Sequence, residues 1–205
     1  MPTNESVAIV GMGATLPGAL SPALAWANQL AGRCSIERIP TEIWDRDLFH
    51  EPTRSDKDGV YSDLGAFVRG FEFKPQDFKM PPAAVAQMDP IHMVSLVTAR
   101  QALLDAGIDG PTDGIRAAVI LGNLQGGSLR RGDRFLRLNY RSLLKTLQLL
   151  PGFQALTATE RDGMEEEFTS SWRDQFPPMN GESLCGVLGN IAAARIAHHF
   201  NFHGP

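Results

Sequence analysis

Residues 181–205 read GESLCGVLGNIAAARIAHHFNFHGP. The apolar spacing predicts one long helix here, with small residues along the side that must pack closely, namely Gly186, Gly189, Ala193 and Ala197. A short strand-like run, Phe200–Phe202, and a Gly204-Pro205 stop follow the predicted helix. In an α/β unit such a helix feeds the next strand, so we expect a strand to follow Pro205 in the complete fold.

Two apolar runs predict strands that are buried on both faces. They are Val7–Val10 and Ala117–Leu121, and each ends in a glycine-rich turn. After the first turn, Ser21 caps a predicted helix that has Pro22 at its first position and runs to Gly32. Strands that alternate with helices predict the α/β class.

The Gly11-Met12-Gly13 turn carries only part of the dinucleotide-binding pattern. Leu16 stands where the third glycine belongs, and Pro17-Gly18 separates the turn from the helix. That pattern needs a helix N-terminus directly behind the turn to hold pyrophosphate. Nucleotide binding is therefore the disfavoured interpretation.

Composition argues against several classes of function. The 205 residues carry a net charge of −4, which argues against nucleic acid as the main partner. Two cysteines, Cys34 and Cys185, make no disulfide framework, so we expect a reducing cytoplasm. No apolar run reaches the roughly 18 residues of a membrane span, and the start has no basic region of the kind that opens a signal peptide.

The triplet Met88-Asp89-Pro90 predicts the start of a long helix. Asp89 suits the N-cap and Pro90 the first helical position, while Gly107 suits the position after the end. Two stripes predict that little of this helix faces water, an apolar one at Met93, Leu96, Val97, Leu103 and Leu104, and a small one at Ala99, Ala102 and Ala106.

A basic helix and an acidic helix are predicted between residues 129 and 178. The basic side chains recur at three- and four-residue steps, at Arg130, Arg134, Arg137, Arg141 and Lys145, and a second helix near Thr159 carries Glu165–Glu167. The simplest interpretation is a helical hairpin with facing charges. The alternative is a docking face for an acidic partner. Exposed ion pairs contribute only ~0–1 kcal/mol each, so they would set orientation more than stability.

Several motifs occur along the chain in a characteristic order. They are VAIVGMGATLPGA from Val7, Ile39-Pro40 before Trp44-Asp45, the Phe71–Phe78 loop, MDPIHMVSLVTARQALLDAGI from Met88, the Gly122–Gly127 loop, and Leu188-Gly189-Asn190 through Gly204-Pro205. Together they resemble the N-terminal half of a β-ketoacyl synthase, specifically the ketosynthase domains of polyketide synthases and polyunsaturated fatty acid synthases. Residues 1–205 would form that domain, with 129–178 as a helical insertion that looks most like the polyunsaturated-fatty-acid-synthase type.

The resemblance implies a thiolase-like fold, of which this chain would be the N-terminal half of a layered αβαβα architecture. It implies an acyltransferase that performs Claisen condensation in polyketide or fatty acid biosynthesis, with a homodimer and an acyl carrier protein as partners. No cofactor is implied beyond the phosphopantetheine on which substrates are carried. The family's nucleophilic cysteine follows the Gly-Pro pair that is here Gly204-Pro205, and its two histidines come from the C-terminal half. We therefore expect no catalytic residue within the chain and no activity from it alone.

The substrate-binding residues implied by the resemblance are Gln125, Gly126 and Gly127. The residue before the double glycine lines the acyl pocket in the family, and Gln125 there is expected to shorten the pocket or favour oxygenated chains. The alternative is that Gln125 only satisfies the loop backbone.

Other nucleophile and metal candidates are disfavoured. Cys185 lies near the start of the last predicted helix, but free cysteines are usually buried and structural, and the same holds for Cys34. His198 and His199 are adjacent and point about 100° apart on a helix, so with His203 they make a poor metal site. His50 and His92 have no partner that the sequence identifies.

The sequence is compatible with two hypotheses of different class. The first is an enzyme segment that completes a condensing ketosynthase together with the remaining C-terminal part. The second is a non-catalytic module that keeps only the dimer and carrier-protein surfaces.

Overall fold

The computed structural model describes residues 6–55, 57–110, 112, 115–124 and 129–204. The chain divides into two compact units. The first contains residues up to Phe73 together with Val97–Gly110, and the second contains Lys74–Leu96 and the chain from residue 111 onward.

The first unit is built around short elements. Along the chain they are α1 (Pro22–Leu30), β1 (Glu37–Arg38), α2 (Arg46–Phe49) and β2 (Leu64–Gly65). The strands pair antiparallel with Glu37 opposite Gly65. The predicted cap of α1 is confirmed, because Ser21 Oγ accepts a hydrogen bond from Leu24 N at 3.3 Å and Gly32 has a φ of +61° after the helix end. Arg46 and Arg38 both reach Asp63, at 3.2 and 3.8 Å, beside the β1–β2 ladder.

The prediction of two buried strands is wrong for the described chain. Val7–Val10 and Ala117–Leu121 take no part in a strand ladder, and Ile9 and Ile120 are 85% and 95% exposed. A strand buried on both faces needs neighbouring strands and a covering helix layer. Among the described residues only the two-residue β1–β2 ladder forms a sheet, so these apolar runs have no neighbour to pair with.

The helix predicted from Met88-Asp89-Pro90 is α4, which spans Pro90–Asp105. Asp89 Oδ1 accepts from Ile91 N at 3.3 Å, and Gly107 has a φ of +76°, which confirms both predicted ends. The prediction that little of the helix faces water holds only in part. Its buried residues are His92, Ser95 and Leu96, whereas Leu104 is exposed.

The second unit is mostly helical. Besides a 3-10 turn at Pro75–Phe78, its elements are α3 (Pro82–Val85), the beginning of α4, α5 (Leu129–Gln148), α6 (Pro151–Gln154), α7 (Ala158–Asp174) and α8 (Gly189–His199). Its core contains the buried side chains of Phe78, Met88, Leu96, Phe153, Ala192 and Ile196.

The last helix is shorter than the sequence predicts. Residues 181–187 form successive turns, and α8 begins only at Gly189. Its buried face is Gly189, Ala192 and Ile196, one position away from the predicted small residues Ala193 and Ala197. Phe200–Phe202 forms no strand, because Asn201 adopts a left-handed φ of 50° and the rings of Phe200 and Phe202 stack 5.8 Å apart.

The segment predicted as a helical insertion contains α5, α6 and α7. Thr157 caps α7 two residues before the predicted start, and Thr157 and Glu160 form a reciprocal capping box. Among the described residues, no helix is both long enough and apolar enough to cross a bilayer.

Candidate functional site

The predicted acyl-pocket residues Gln125, Gly126 and Gly127 lie outside the described residues, so their role stays a prediction. The beginning of their loop, Gly122–Leu124, is described. There the Asn123 amide donates to the carbonyl of Gly189 at 3.4 Å. A Cβ at Gly189 would lie 2.5 Å from Asn123 Oδ1 and 2.9 Å from Asn123 Nδ2, so the Asn123 side chain would have to rotate to make room for one.

The end of the described chain returns to the segment that leads into this loop. A Cβ at Gly204 would overlap the main-chain carbonyl of Ala117 and lie 2.7 Å from the amide nitrogen of Ala118. The amide of His203 points to the carbonyl of Ile115 at 3.5 Å. The start of α8 therefore contacts the described part of the loop, and His203 and Gly204 contact the segment that leads into it.

Gln87 joins three parts of the second unit. Its carbonyl accepts from Arg134 Nη2 on α5 at 2.6 Å, and its side-chain Oε1 accepts from Ser183 Oγ at 2.7 Å. Its Nε2 donates to the carbonyl of Pro178 at 3.3 Å. Gln87 is buried, and burial lowers the pKa of the Arg134 guanidinium that contacts it. Both polar atoms of the Gln87 side chain thus have a partner, as a buried amide requires.

Asp89 connects the start of α4 to both neighbouring segments. Its amide donates to the carbonyl of Gly186 at 2.8 Å, and its Oδ2 accepts from the amide of Arg130 at 3.1 Å. The carboxylate therefore accepts hydrogen bonds from main-chain amides in the first turns of α4 and α5, where helix amides lack acceptors within the helix.

His92 is fully buried, and neither ring nitrogen has a hydrogen-bond partner in the part of the chain that the structure describes. Burial, and next the positive charge of Arg195, lower the pKa of His92 to about 4, while Asp89 opposes the shift. His92 is therefore neutral at pH 7. Arg195 Nε is also inaccessible and without an acceptor among the described residues.

Sequence reasoning did not single out Gln87 or Arg195, and it named His92 only as a histidine without an identified partner, which the described residues bear out. His92 precedes the buried Leu96 by four residues on α4, so helical periodicity could have placed it on the buried face. No local signal marks Gln87 or Arg195, because their environments are created by residues about a hundred positions away along the chain.

The prediction that the two cysteines are buried is wrong. Cys34 and Cys185 are both exposed. Cys185 lies in the turns before α8, four residues ahead of Gly189, and lines a cleft with His198 and His199. It lies outside α8, in the turns that precede the helix, where Gly186 packs against the Gln87 main chain. Among the described residues, no group of three or more His, Cys, Asp or Glu side chains could hold a metal ion.

The predicted hairpin of α5 and α7 forms, but not through facing charges. Arg137 donates to the main-chain carbonyls of Arg173 and Phe176 at the end of α7, the second at 2.7 Å. Trp172 Nε1 returns a hydrogen bond to the Leu136 carbonyl at 2.8 Å. Glu165 accepts from Gln148 Nε2 at 2.7 Å, and in the described chain no ion pair joins Glu165–Glu167 to the basic row.

The Gly11–Gly13 turn in the first unit is fitted to the end of α4. A Cβ at Gly11 would overlap the carbonyl of Ala102. The amides of Met12 and Ala14 donate to Asp105 Oδ2 and Gln101 Oε1, each at 2.9 Å. These amides are already bonded, whereas a phosphate-binding turn keeps its amides directed at the ligand.

The comparisons with known proteins agree on one family. The family model for "Beta-ketoacyl synthase, N-terminal domain" matches residues 4–205. The chain is 26% identical over 205 residues to a polyunsaturated fatty acid synthase of a Thraustochytrium species and 37% identical over 205 residues to polyketide synthase GfsB of Streptomyces halstedii. Each match covers 98% of this chain.

The solved structures include an oxazolomycin ketosynthase domain from Streptomyces albus. It has a TM-score of 0.63 and 21% sequence identity over 96% of this chain, which shows a shared thiolase-like ketosynthase fold. This chain spans 7% and 3% of the two curated relatives and 28% of the solved chain. The predicted fold class is therefore confirmed, although the strands expected in it are not formed by the described residues.

Proposed function

The chain belongs to the β-ketoacyl synthase family, and we propose that it acts as the N-terminal segment of a ketosynthase that joins acyl units by decarboxylative Claisen condensation. The family match over residues 4–205 is the observation that carries this proposal. The relatives named above as polyketide and polyunsaturated fatty acid synthases support the same reaction class.

The reaction has two stages. A cysteine thiolate attacks the carbonyl of an acyl thioester, the carrier thiol leaves, and the acyl group is held on the enzyme. A malonyl thioester then loses CO₂, and its carbanion attacks the acyl-cysteine carbonyl, forms the new carbon–carbon bond and releases the thiolate. We propose that this cysteine and two histidines are supplied by residues of the family fold beyond the Gly204-Pro205 pair.

The residues of this chain would position those groups. Gly204 can lie against the Ala117 main chain only because it lacks a Cβ, and this contact fixes the direction in which the chain approaches the nucleophile position. Asn123 fixes the glycine loop to α8. We propose that Gln125, Gly126 and Gly127 line the acyl pocket from that loop.

The proposed partners are an acyl carrier protein, a second copy of the chain and the remaining C-terminal part of the ketosynthase. Phosphopantetheine on the carrier protein would present both thioesters, and no further cofactor takes part. The exposed thiols of Cys34 and Cys185 support a reducing compartment such as the cytoplasm.

A condensation assay tests this proposal. The 205-residue chain and a longer polypeptide that continues through a ketosynthase C-terminal half are incubated with an acyl thioester and malonyl carrier protein, and 3-ketoacyl product is measured by mass spectrometry. We expect 3-ketoacyl product from the longer polypeptide and none from the 205-residue chain. Product from the chain alone that is lost in Cys185→Ser would move the nucleophile to Cys185 and overturn the proposal. Carrier-protein binding without any condensation by the longer polypeptide would support the non-catalytic module.

A further inference from the structure

A cleft of about 620 Å³ opens within the second unit. The Phe78–Pro81 turn forms one side, and the exposed turns around Cys185 together with one face of α8 form the rest. Clefts of this volume are in the range that holds small organic molecules.

The cleft contains the cationic side chain of Arg195. Arg195 lies on α8 and is half-buried, and in the described part of the chain it makes no hydrogen bond or ion pair. Its electrostatic neighbour His92 is neutral or cationic but never anionic, so it cannot compensate the guanidinium charge. The Nε atom of Arg195 is inaccessible, and a partly buried guanidinium is stabilised when an anion pairs with it.

The lining carries a net positive charge. Lys79 joins Arg195 in the cleft, and Glu182 is its one acidic lining residue among those described, so two cationic side chains stand against one anionic side chain. The excess of cationic groups favours a bound anion over a bound cation.

The remaining walls are apolar. Phe78 and Met80 form them on the turn, and Ile191 and Ala194 form them on α8. The His199 ring lies against the Phe78 ring, with centroids 4.9 Å apart, which fixes this wall. A ligand that matches the cleft therefore carries a negative head and a short apolar chain.

We propose that this cleft binds an aliphatic carboxylate, with the carboxylate group at Arg195 and Lys79 and the chain against Phe78 and Ile191. The lining residues do not include the described start of the glycine loop, Gly122–Leu124, and binding in the cleft does not depend on condensation. Its experiment needs no catalytic activity, so failure of the site and failure of the proposed function are distinguishable.

The exposed thiol of Cys185 provides the measurement. The rate at which N-ethylmaleimide labels Cys185 is followed by mass spectrometry with and without sodium hexanoate, and Cys34 in the first unit is the internal control because it is also exposed. At a concentration about ten times the dissociation constant, we expect hexanoate to slow labelling of Cys185 about tenfold. Labelling of Cys34 should not change.

Two further ligands distinguish the effect of the negative charge on binding from the effect of the alkyl chain. Hexanol has the chain without the charge, and acetate has the charge without the chain, so we expect each to protect Cys185 less than hexanoate at equal concentration. Protection by hexanol as strong as that by hexanoate would overturn the proposal, because an apolar contact would then suffice.

Variants test the cationic groups. Arg195→Met should abolish the protection, and Arg161→Met on α7, outside the cleft, should keep it. If Arg195→Met does not fold, Lys79→Met at an exposed position should still weaken hexanoate binding by about two- to fivefold. Undiminished protection in folded Arg195→Met, or in Lys79→Met, would overturn the assignment.

Discussion

Gly186 lies against the main chain of Gln87 so closely that a Cβ at Gly186 would overlap the carbonyl oxygen and lie 2.8 Å from the carbonyl carbon. On the other side of Gly186, its own carbonyl accepts from the amide of Asp89 at 2.8 Å. The turn before α8 and the start of α4 are thus joined through main-chain atoms, which cannot rotate away as a flexible side chain can.

The first prediction concerns this contact. Gly186→Ala should lower the free energy of unfolding by about 1–3 kcal/mol, because the added methyl group must displace main-chain atoms. Gly163→Ala is the matched control, since Gly163 lies inside α7 with open space around its Cβ position. There the substitution should raise the free energy of unfolding by about 0.5–1 kcal/mol. Urea unfolding measures both, and equal effects of the two substitutions would contradict the close contact.

The second prediction is the pH dependence that His92 imposes on stability. The pKa of His92 is about 4 in the folded chain, against an ordinary value of 6.5. Between these values the unfolded chain binds the proton and the folded chain does not, so stability falls as the pH is lowered from about 6.5 towards about 4. Above about pH 6.5 His92 is largely neutral in both the folded and the unfolded chain, so it no longer lowers the free energy of unfolding. Between pH 7.5 and pH 5 the loss from this residue is at most about 2 kcal/mol.

His92→Leu removes this titration without leaving a large cavity, because both ring nitrogens lack partners among the described residues and Leu has a similar volume. The variant should lose less stability than the original chain between pH 7.5 and pH 5, as measured by urea midpoints at both pH values. His203→Gln, at an exposed position, is the control and should keep the original pH dependence. Identical pH profiles for His92→Leu and the original chain would rule out the buried neutral histidine.

The third prediction concerns the contact between α5 and α7. Arg137→Met removes the donor to the Arg173 and Phe176 carbonyls, and it should lower the free energy of unfolding by about 1.5–3 kcal/mol, the range for hydrogen bonds of charged groups. Lys145→Met, at an exposed position on the same helix, should change it by less than about 0.5 kcal/mol.

Salt distinguishes this contact from the facing charges predicted from the sequence. Since main-chain carbonyls hold Arg137, the Arg137→Met effect should persist in 1 M NaCl, where the Debye length is only about 3 Å. A loss of the effect in salt would restore the ion-pair interpretation.

Helices were predictable from the sequence because their signals are local. Ser21-Pro22 and Asp89-Pro90 each lie within one turn of the helix start that they predict, and the structure contains both helix starts. The strands were not predictable in the same way, since Val7–Val10 carries the right composition but a strand forms only with a neighbour to pair with. Membership of the family was predictable, because it is recognised from the order of the sequence motifs and does not require that each predicted strand forms.

The candidate sites were less predictable than the fold. Cys185 is exposed in the turns before α8, where the neighbouring Gly186 contacts the main chain of Gln87, and no local signal in the sequence reports a contact with so distant a position. The unpaired state of Arg195 among the described residues likewise depends on which side chains surround it in space, and no spacing in the sequence reports this.

The last prediction is that the 205-residue chain associates at tens of micromolar, roughly the concentration range in which exposed strand edges aggregate. Val7–Val10 and Ala117–Leu121 keep strand-forming, apolar sequences, and Ile9 and Ile120 are almost fully exposed with no strand partner among the described residues. Such runs are templates for pairing with another chain. Ile9→Lys and Ile120→Lys place a charge in each run and should reduce the apparent mass in light scattering, whereas Leu30→Lys, which replaces an exposed side chain at the end of α1, should not. A stable monomer of the original chain would contradict this prediction. It would mean that Val7–Val10 and Ala117–Leu121 are covered in the isolated chain rather than exposed.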